Sequence, residues 1–176
     1  MAGHSKWAQI KRKKETTDVK KSRVFSKFAR LVAAESKKAK GDRSSPGLRL
    51  AIERAKAVNM PSENIDRSVE KGRGDTGTAM EEVLYEGYGP GGVALIVTGL
   101  TDNRNRTAAE IKHILSKHKA AFAAKGAAVW AFTKSAEGFA PHTTVKLSDT
   151  DIEKLEKLTD ELEEHDDTQG IFTNAS

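Results

Sequence analysis

Residues 85–107 read YEGYGPGGVALIVTGLTDNRNRT, and the division of this stretch decides the fold. Glycine reaches positive φ and proline fixes φ without a donor N–H, so Gly89, Pro90, Gly91 and Gly92 form a turn between two strands. Residues 82–88 make the first strand. The second, over 93–99, carries the apolar run VALIV, which suits a central strand; the flanking glycines and its length favour strand over buried helix. Thr107 and Glu110 have capping-box spacing and predict a helix from Thr107 to His118. Asp102, Asn103, Arg104, Asn105 and Arg106 are then left as a solvent-facing loop.

Working outward, residues 5–14 predict a short helix with Trp7 and Ile10 on one side and lysines and arginines around it. Trp7 either docks against the body of the protein or stacks on a base. A longer helix spans 18–39, where Val24, Phe25, Phe28, Leu31 and Val32 form a stripe at helical spacing. Ser45 and Pro46 start a third helix, which runs to Val58 with Ser45 as its cap, and 62–71 form a fourth. Residues 72–77 hold three glycines and no apolar residue, so a domain boundary falls at 72–80. This gives a basic helical domain over 1–74 and an α/β sandwich domain over 80–176.

Beyond the first helix of the second half, residues 127–133 (AAVWAFT) and 143–147 predict strands. Ser148 and Asp151 cap a helix reaching Glu164, and 170–174 close the sheet. The expected class is α+β: an N-terminal all-α domain, then a ferredoxin-like β-α-β-β-α-β domain with an extra N-terminal strand at 82–88.

Charge is segregated. The chain has 176 residues and formal net charge +5; through Gly74 there are 20 Lys and Arg against 8 Asp and Glu, an excess of +12, and the remainder carries 10 against 17, or −7. An excess of that size over 74 residues is the electrostatic footprint of a nucleic-acid surface, although lysines also commonly just solvate helix faces. There is no cysteine, which excludes disulfides and thiolate chemistry. No apolar run approaches the roughly 20 residues that span a bilayer, and lysines stand where a signal peptide needs an apolar core, so a cytoplasmic protein without membrane partners is expected.

No enzyme signature is present. His4, His113, His118, His142 and His165 lack ligand spacing, so neither metal nor cofactor is expected, and the cluster from Glu163 to Asp167 reads as a solvated helix end. The glycines at 87–92 lack the Lys-Ser/Thr of a phosphate loop and precede a strand. No small-molecule substrate and no catalytic residue follow from this pattern. Phosphate contacts are assigned to Lys6, Lys11, Arg12, Lys13, Lys14, Lys20, Lys21, Arg23, Lys27 and Arg30, with Trp7 as a stacking group. Arg104 and Arg106 form a second patch, whose competing role is to cap strand carbonyls or bridge domains.

YEGYGPGGVA and LTDNRNRT, together with MAGHSKWAQIKRKK at the start and AVNMPSENI in the middle, resemble the YebC/PmpR family, which includes mitochondrial translational activators. The resemblance covers essentially the whole chain. It implies a non-catalytic regulator of gene expression, traditionally a DNA-binding transcriptional regulator; the alternative is a translation factor that binds ribosomal RNA, tRNA or the ribosome and relieves stalling on proline-rich stretches. From outside the family, a protein-interaction adaptor using the acidic half is a third reading. No dimer signature stands out, so a monomer is expected. Two departures accompany the resemblance. The family's usual third-domain insertion is absent near 134–138, and Lys119, Ala120, Ala121 and Phe122 stand where the family usually has glycines.

Overall fold

The computed structural model describes residues 6–13, 18–74 and 79–176, excepting the side chains of 8, 11–13, 18 and 19. Two compact units divide the chain: Thr16–Glu81, and Glu82–Ser176 grouped with Met1–Glu15. The expected boundary at 72–80 adjoins the division between Glu81 and Glu82. The first helix, however, groups with the sheet.

The helical unit contains α2 (Asp18–Ala39), α3 (Pro46–Ala57) and α4 (Ser62–Arg73), close to the predicted spans. Their apolar stripes meet in a core of Val32, Leu48, Ala51, Ile52, Ala55, Met60, Ile65 and Val69, against which Phe25, Phe28 and Leu31 pack. Pro46 occupies the first turn of α3 as expected, but Ser45 makes no side-chain capping bond. α2 and α4 approach closely because Gly72 lacks a side chain. A Cβ there would collide with the Ala33 carbonyl oxygen and lie 2.7 Å from Ser36 Cβ, while the buried Ser36 hydroxyl donates to the Val69 carbonyl at 2.7 Å.

The second unit begins with α1 (Lys6–Lys13) and continues through β1 (Glu81–Tyr88), β2 (Ala94–Thr101), α5 (Arg104–Lys117), β3 (Ala121–Ala123), β4 (Phe132–Ser135), β5 (Gly138–Pro141), α6 (Asp149–Glu164) and β6 (Thr168–Thr173). The main sheet has the order β3-β1-β2-β6, and β4 and β5 form a separate hairpin. The turn after β1 is a 3₁₀ segment over Pro90–Gly92 with φ of 68° at Gly91, as its glycines require. The α+β class holds, with helices first and a sheet-and-helix unit after them.

β2 is buried on both sides. Leu95 and Val97 face a core with Ile111, Leu115, Leu155, Leu158 and Leu162 of α5 and α6, to which Trp7 also belongs. Ala94 and Ile96 face Ala128, Ala131 and Phe132, with Phe139 and Phe172 packed alongside. The β4–β5 hairpin is held there by edge-on aromatic contacts: Phe139 lies 5.5 Å from Phe172 and 6.4 Å from Phe132.

Three local assignments need correction. Residues 127–133 are not a strand: Val129–Ala131 is a 3₁₀ turn, and extended backbone begins only at Phe132. The cause is Glu86, 4 % exposed, whose carboxylate accepts from the N–H groups of Gly126 at 2.7 Å, Ala128 at 2.7 Å and Val129 at 2.8 Å. Donors that a sheet ladder would use are thus turned onto one carboxylate. Residues 143–147 likewise form no strand and contribute a bridge between Val145 and Ala175. The strand following α5 is instead Ala121–Ala123, paired antiparallel with β1. Lys119, with φ of 57°, supplies the left-handed residue that ends α5, a conformation that glycine adopts more easily.

Two predictions follow from this packing. Alanine is the better helix former by about 1 kcal/mol, but in Gly72→Ala the collision with a backbone carbonyl outweighs this, and a net loss of about 1–3 kcal/mol is expected. Urea denaturation should show it as a lower midpoint at unchanged slope. For Glu86, burial raises the carboxyl pKa, but the three N–H donors and Lys125 outweigh burial and hold it below its ordinary value. A carboxyl group whose pKa falls on folding stabilises the native state above its unfolded pKa and loses that contribution as pH drops through the folded value. Glu86→Gln should therefore melt lower than wild type at neutral pH, with the gap closing below about pH 4. An equal gap at both pH values would contradict this account.

Candidate nucleic-acid interface

α2 sorts its side chains by face. Phe25, Phe28 and Val32 turn towards the helical core, whereas Lys20, Lys21 and Arg23 are exposed and Lys27 and Arg30 half-buried. Five basic residues therefore fall within three turns of one helix, at a rise of about 1.5 Å per residue. Lys and Arg stems cover apolar surface while their charged heads reach water. Near the C-terminal end of α2 Lys38 pairs with Glu35 at 2.7 Å, and beyond the helix Arg43 pairs with Asp66 at 2.7 Å.

On α1 the assignments divide. Lys6 is half-exposed, with Nζ 2.9 Å from Asp149. Trp7 is 5 % exposed and sits in the core formed with α5, α6 and the sheet. Its assignment as a base-stacking group is therefore corrected: the indole docks, because burying it among Ile111, Leu155 and their neighbours removes a large apolar surface from water. Lys11, Arg12 and Lys13 belong to α1 by their backbone, but their side chains, like all of Lys14, lie outside the described residues.

The predicted loop at 102–106 is mostly helix. α5 begins at Arg104 because Asn103, not Thr107, is its cap: the Asn103 side chain accepts from Arg106 N at 3.1 Å. Thr107 turns inward instead. Its hydroxyl lies 2.7 Å from that of Thr101 and donates to Asp167 Oδ2 at 2.7 Å. Asp167 was expected in a solvated helix end, yet it is 2 % exposed. Its carbonyl accepts from Leu100 N at 2.8 Å, and its carboxylate receives the Arg106 guanidinium at 2.9 Å.

Arg106 also donates to Asp102 at 2.8 Å. Hydrogen bonding to Asp167 and then Asp102 raises its pKa still further. His165 completes the cluster: its Nδ1 accepts from Asp167 N at 3.2 Å, which leaves Nε2 to face Glu110 at 2.7 Å. Glu110, His165 and Asp167 bring potential ligand atoms within 4.8 Å of one another. Arg106 supplies the cation of this cluster itself, since its Nε lies 4.0 Å from Glu110 in addition to its bond with Asp167. Arg106 is thus held by the carboxylates of Asp102, Asp167 and Glu110, a structural engagement other than the carbonyl capping or domain bridging weighed for it. Arg104 is exposed in the first turn of α5.

These features define a charge-segregated α+β protein in which buried carboxylates are satisfied by the chain's own donors. The chain belongs to the TACO1/YebC family: the family's N-terminal domain matches residues 5–75, and its second and third domains match 80–137 and 134–175. It is 39% identical to a probable transcriptional regulatory protein of Caldanaerobacter subterraneus subsp. tengcongensis, across 99% of this chain and 98% of that one. A probable transcriptional regulatory protein of Dictyoglomus turgidum is 42% identical, across 99% of this chain and 71% of the relative. The crystal structure of a conserved hypothetical protein from Aquifex aeolicus superposes with a TM-score of 0.83 at 31% identity, over 98% of this chain and 97% of that one. The Caldanaerobacter alignment runs over 237 positions, at least 61 of which have no counterpart in the 176 residues here.

Removing Arg106 should expose its structural role. Arg106→Ala leaves the Asp167 carboxylate buried with one fewer donor, and a lower midpoint is expected by chemical denaturation. Asp167→Asn in the same chain should recover part of that loss. A neutral Arg106→Ala variant would contradict the assignment.

Proposed function

We propose that this protein is a nucleic-acid-binding regulator of gene expression whose helical half carries most of the phosphate contacts. The observation that carries the reading is the separation of charge: +12 through Gly74 against −7 beyond it. Lys20, Lys21, Arg23, Lys27 and Arg30 concentrate that charge on α2, largely away from its apolar stripe, with Lys21 exposed one turn before Phe25 at the stripe's N-terminal end. Lys6, Lys11, Arg12, Lys13 and Lys14 extend it at the N-terminus. A row of cations of this kind displaces condensed counterions from a phosphate backbone and binds with strong salt dependence.

The names of the relatives support transcription as the level of control. Probable transcriptional regulatory proteins of Caldanaerobacter and Dictyoglomus are similar over 99% of this chain, and DNA is therefore the first target proposed. Arg104 is retained as the member of the α5 patch that contacts nucleic acid, with Arg106 holding the helix start in place. On this reading the module present in longer relatives is missing at the β4–β5 turn, where the two matched segments of the family's second and third domains meet.

Charge reversal on α2 tests the proposal. Lys20→Glu, Lys21→Glu and Arg23→Glu combined should weaken duplex DNA binding at least tenfold at low salt and reduce the slope of log K against log salt by about 0.9 per lost phosphate contact. Fluorescence anisotropy across a salt series reads both quantities. Unchanged affinity and slope would overturn the assignment to α2.

A further inference from the structure

We propose that the sheet unit carries a second nucleic-acid contact, at which Trp130 offers its indole face to an unpaired base of single-stranded RNA or DNA. This deepens the nucleic-acid reading above and rests on it.

Trp130 is 55% exposed, the most exposed large apolar side chain among the described residues. Its indole is nevertheless fixed: Nε1 donates to the Tyr88 hydroxyl at 3.0 Å, and that hydroxyl donates in turn to the Ala127 carbonyl. The backbone beneath is held by Glu86, which accepts from Gly126, Ala128 and Val129. Ala128 and Ala131, the latter adjoining Trp130, are fully buried against the sheet. An aromatic surface anchored at its edge and backbone loses little conformational freedom when a base stacks on it.

Charge separates a base-binding face from a merely exposed apolar one. Between Glu110 and Glu137 the chain has no acidic residue, yet this segment holds five of the ten Lys and Arg of an otherwise acidic half: Lys112, Lys117, Lys119, Lys125 and Lys134. Lys117 is engaged by Glu161 at 2.9 Å. Lys119, Lys125 and Lys134 are exposed, and the last two flank Trp130 in sequence by five and four residues. The Glu86 carboxylate is turned inward onto backbone donors. Phe122, the other exposed aromatic of this segment, pairs opposite Gly87 and packs on Tyr85, on the other face of β1 from Tyr88 and Trp130, and takes no part in this site. An exposed, anchored indole in a lysine-bearing segment that holds no acidic residue of its own matches the stacking platforms of single-strand binders, where affinity comes from base faces and phosphates together. A duplex hides its base faces and gains nothing from such a platform.

The full-length chain and its Trp130→Ala, Trp130→Phe and Lys20→Glu/Lys21→Glu/Arg23→Glu variants should be titrated at low salt against a labelled single-stranded oligouridine and a blunt DNA duplex. Trp130→Ala is expected to weaken single-strand binding about 5- to 100-fold, the range a base–aromatic stack supplies, while changing duplex binding less than about twofold; Trp130→Phe should restore most of the loss. Wild-type single-strand affinity in Trp130→Ala, with binding lost in the α2 variant, would overturn this site and leave the proposed function standing. If the wild type binds neither oligonucleotide, both fall. A wild-type dimer that Trp130→Ala converts to monomer in sedimentation velocity, with oligonucleotide affinity unchanged, would assign the face to a second copy of the chain and overturn the proposal.

Discussion

β2 must be dry on both faces. Ala94, Leu95, Ile96 and Val97 are each no more than 2 % exposed, so a cover is required on either side of the sheet, and the C-terminal half of the chain provides both. α5 and α6 close one side through Ile111, Leu115, Leu155 and Leu158. The 3₁₀ turn and the β4–β5 hairpin close the other through Ala128, Ala131 and Phe132. Trp7 adds an N-terminal contribution to the first cover, which explains why a segment rich in lysine groups with the sheet. The apolar run of one strand thus sets the layout of an entire unit.

Both covers are registered by buried carboxylates. Asp167 ties the β2 backbone, through Leu100 N, to Arg106 and Thr107 in the first turns of α5. Glu86 gathers three backbone donors on the opposite side. A buried charge is costly unless it is paired or hydrogen-bonded, and each of these is satisfied by donors from distant parts of the chain. The acidic half therefore spends two of its carboxylates on architecture. Its lysines, by contrast, gather between Glu110 and Glu137, while the main basic excess remains on the helical half.

Legibility in the sequence followed the range of the determining interaction. α2, α3 and α4 were readable because Phe25, Phe28, Leu31 and Val32, or Leu48, Ala51, Ile52 and Ala55, repeat at helical spacing within a dozen residues. β2 was readable from VALIV and its glycines. AAVWAFT satisfied strand criteria locally and misled, because its conformation is imposed by Glu86, some forty residues earlier. β3 is three residues of Ala-Phe-Ala, too short and too small to announce itself. The start of α5 was placed too late, at Thr107, on its capping-box spacing with Glu110; the Thr107 side chain is instead buried against Asp167, sixty residues away, and Asn103 caps the helix. The basic site was visible as composition, whereas the docking of Trp7 and the engagement of Arg106 depend on contacts between distant segments.

The central claim, that nucleic acid is the working partner, is most directly tested by crosslinking the protein in its own cells and sequencing both the DNA and the RNA recovered. The account predicts discrete positions, whether promoters or structured RNAs, whose recovery falls when the cations of α1 and α2 are neutralised. Recovery of neither nucleic acid above that of an uncrosslinked control would contradict it.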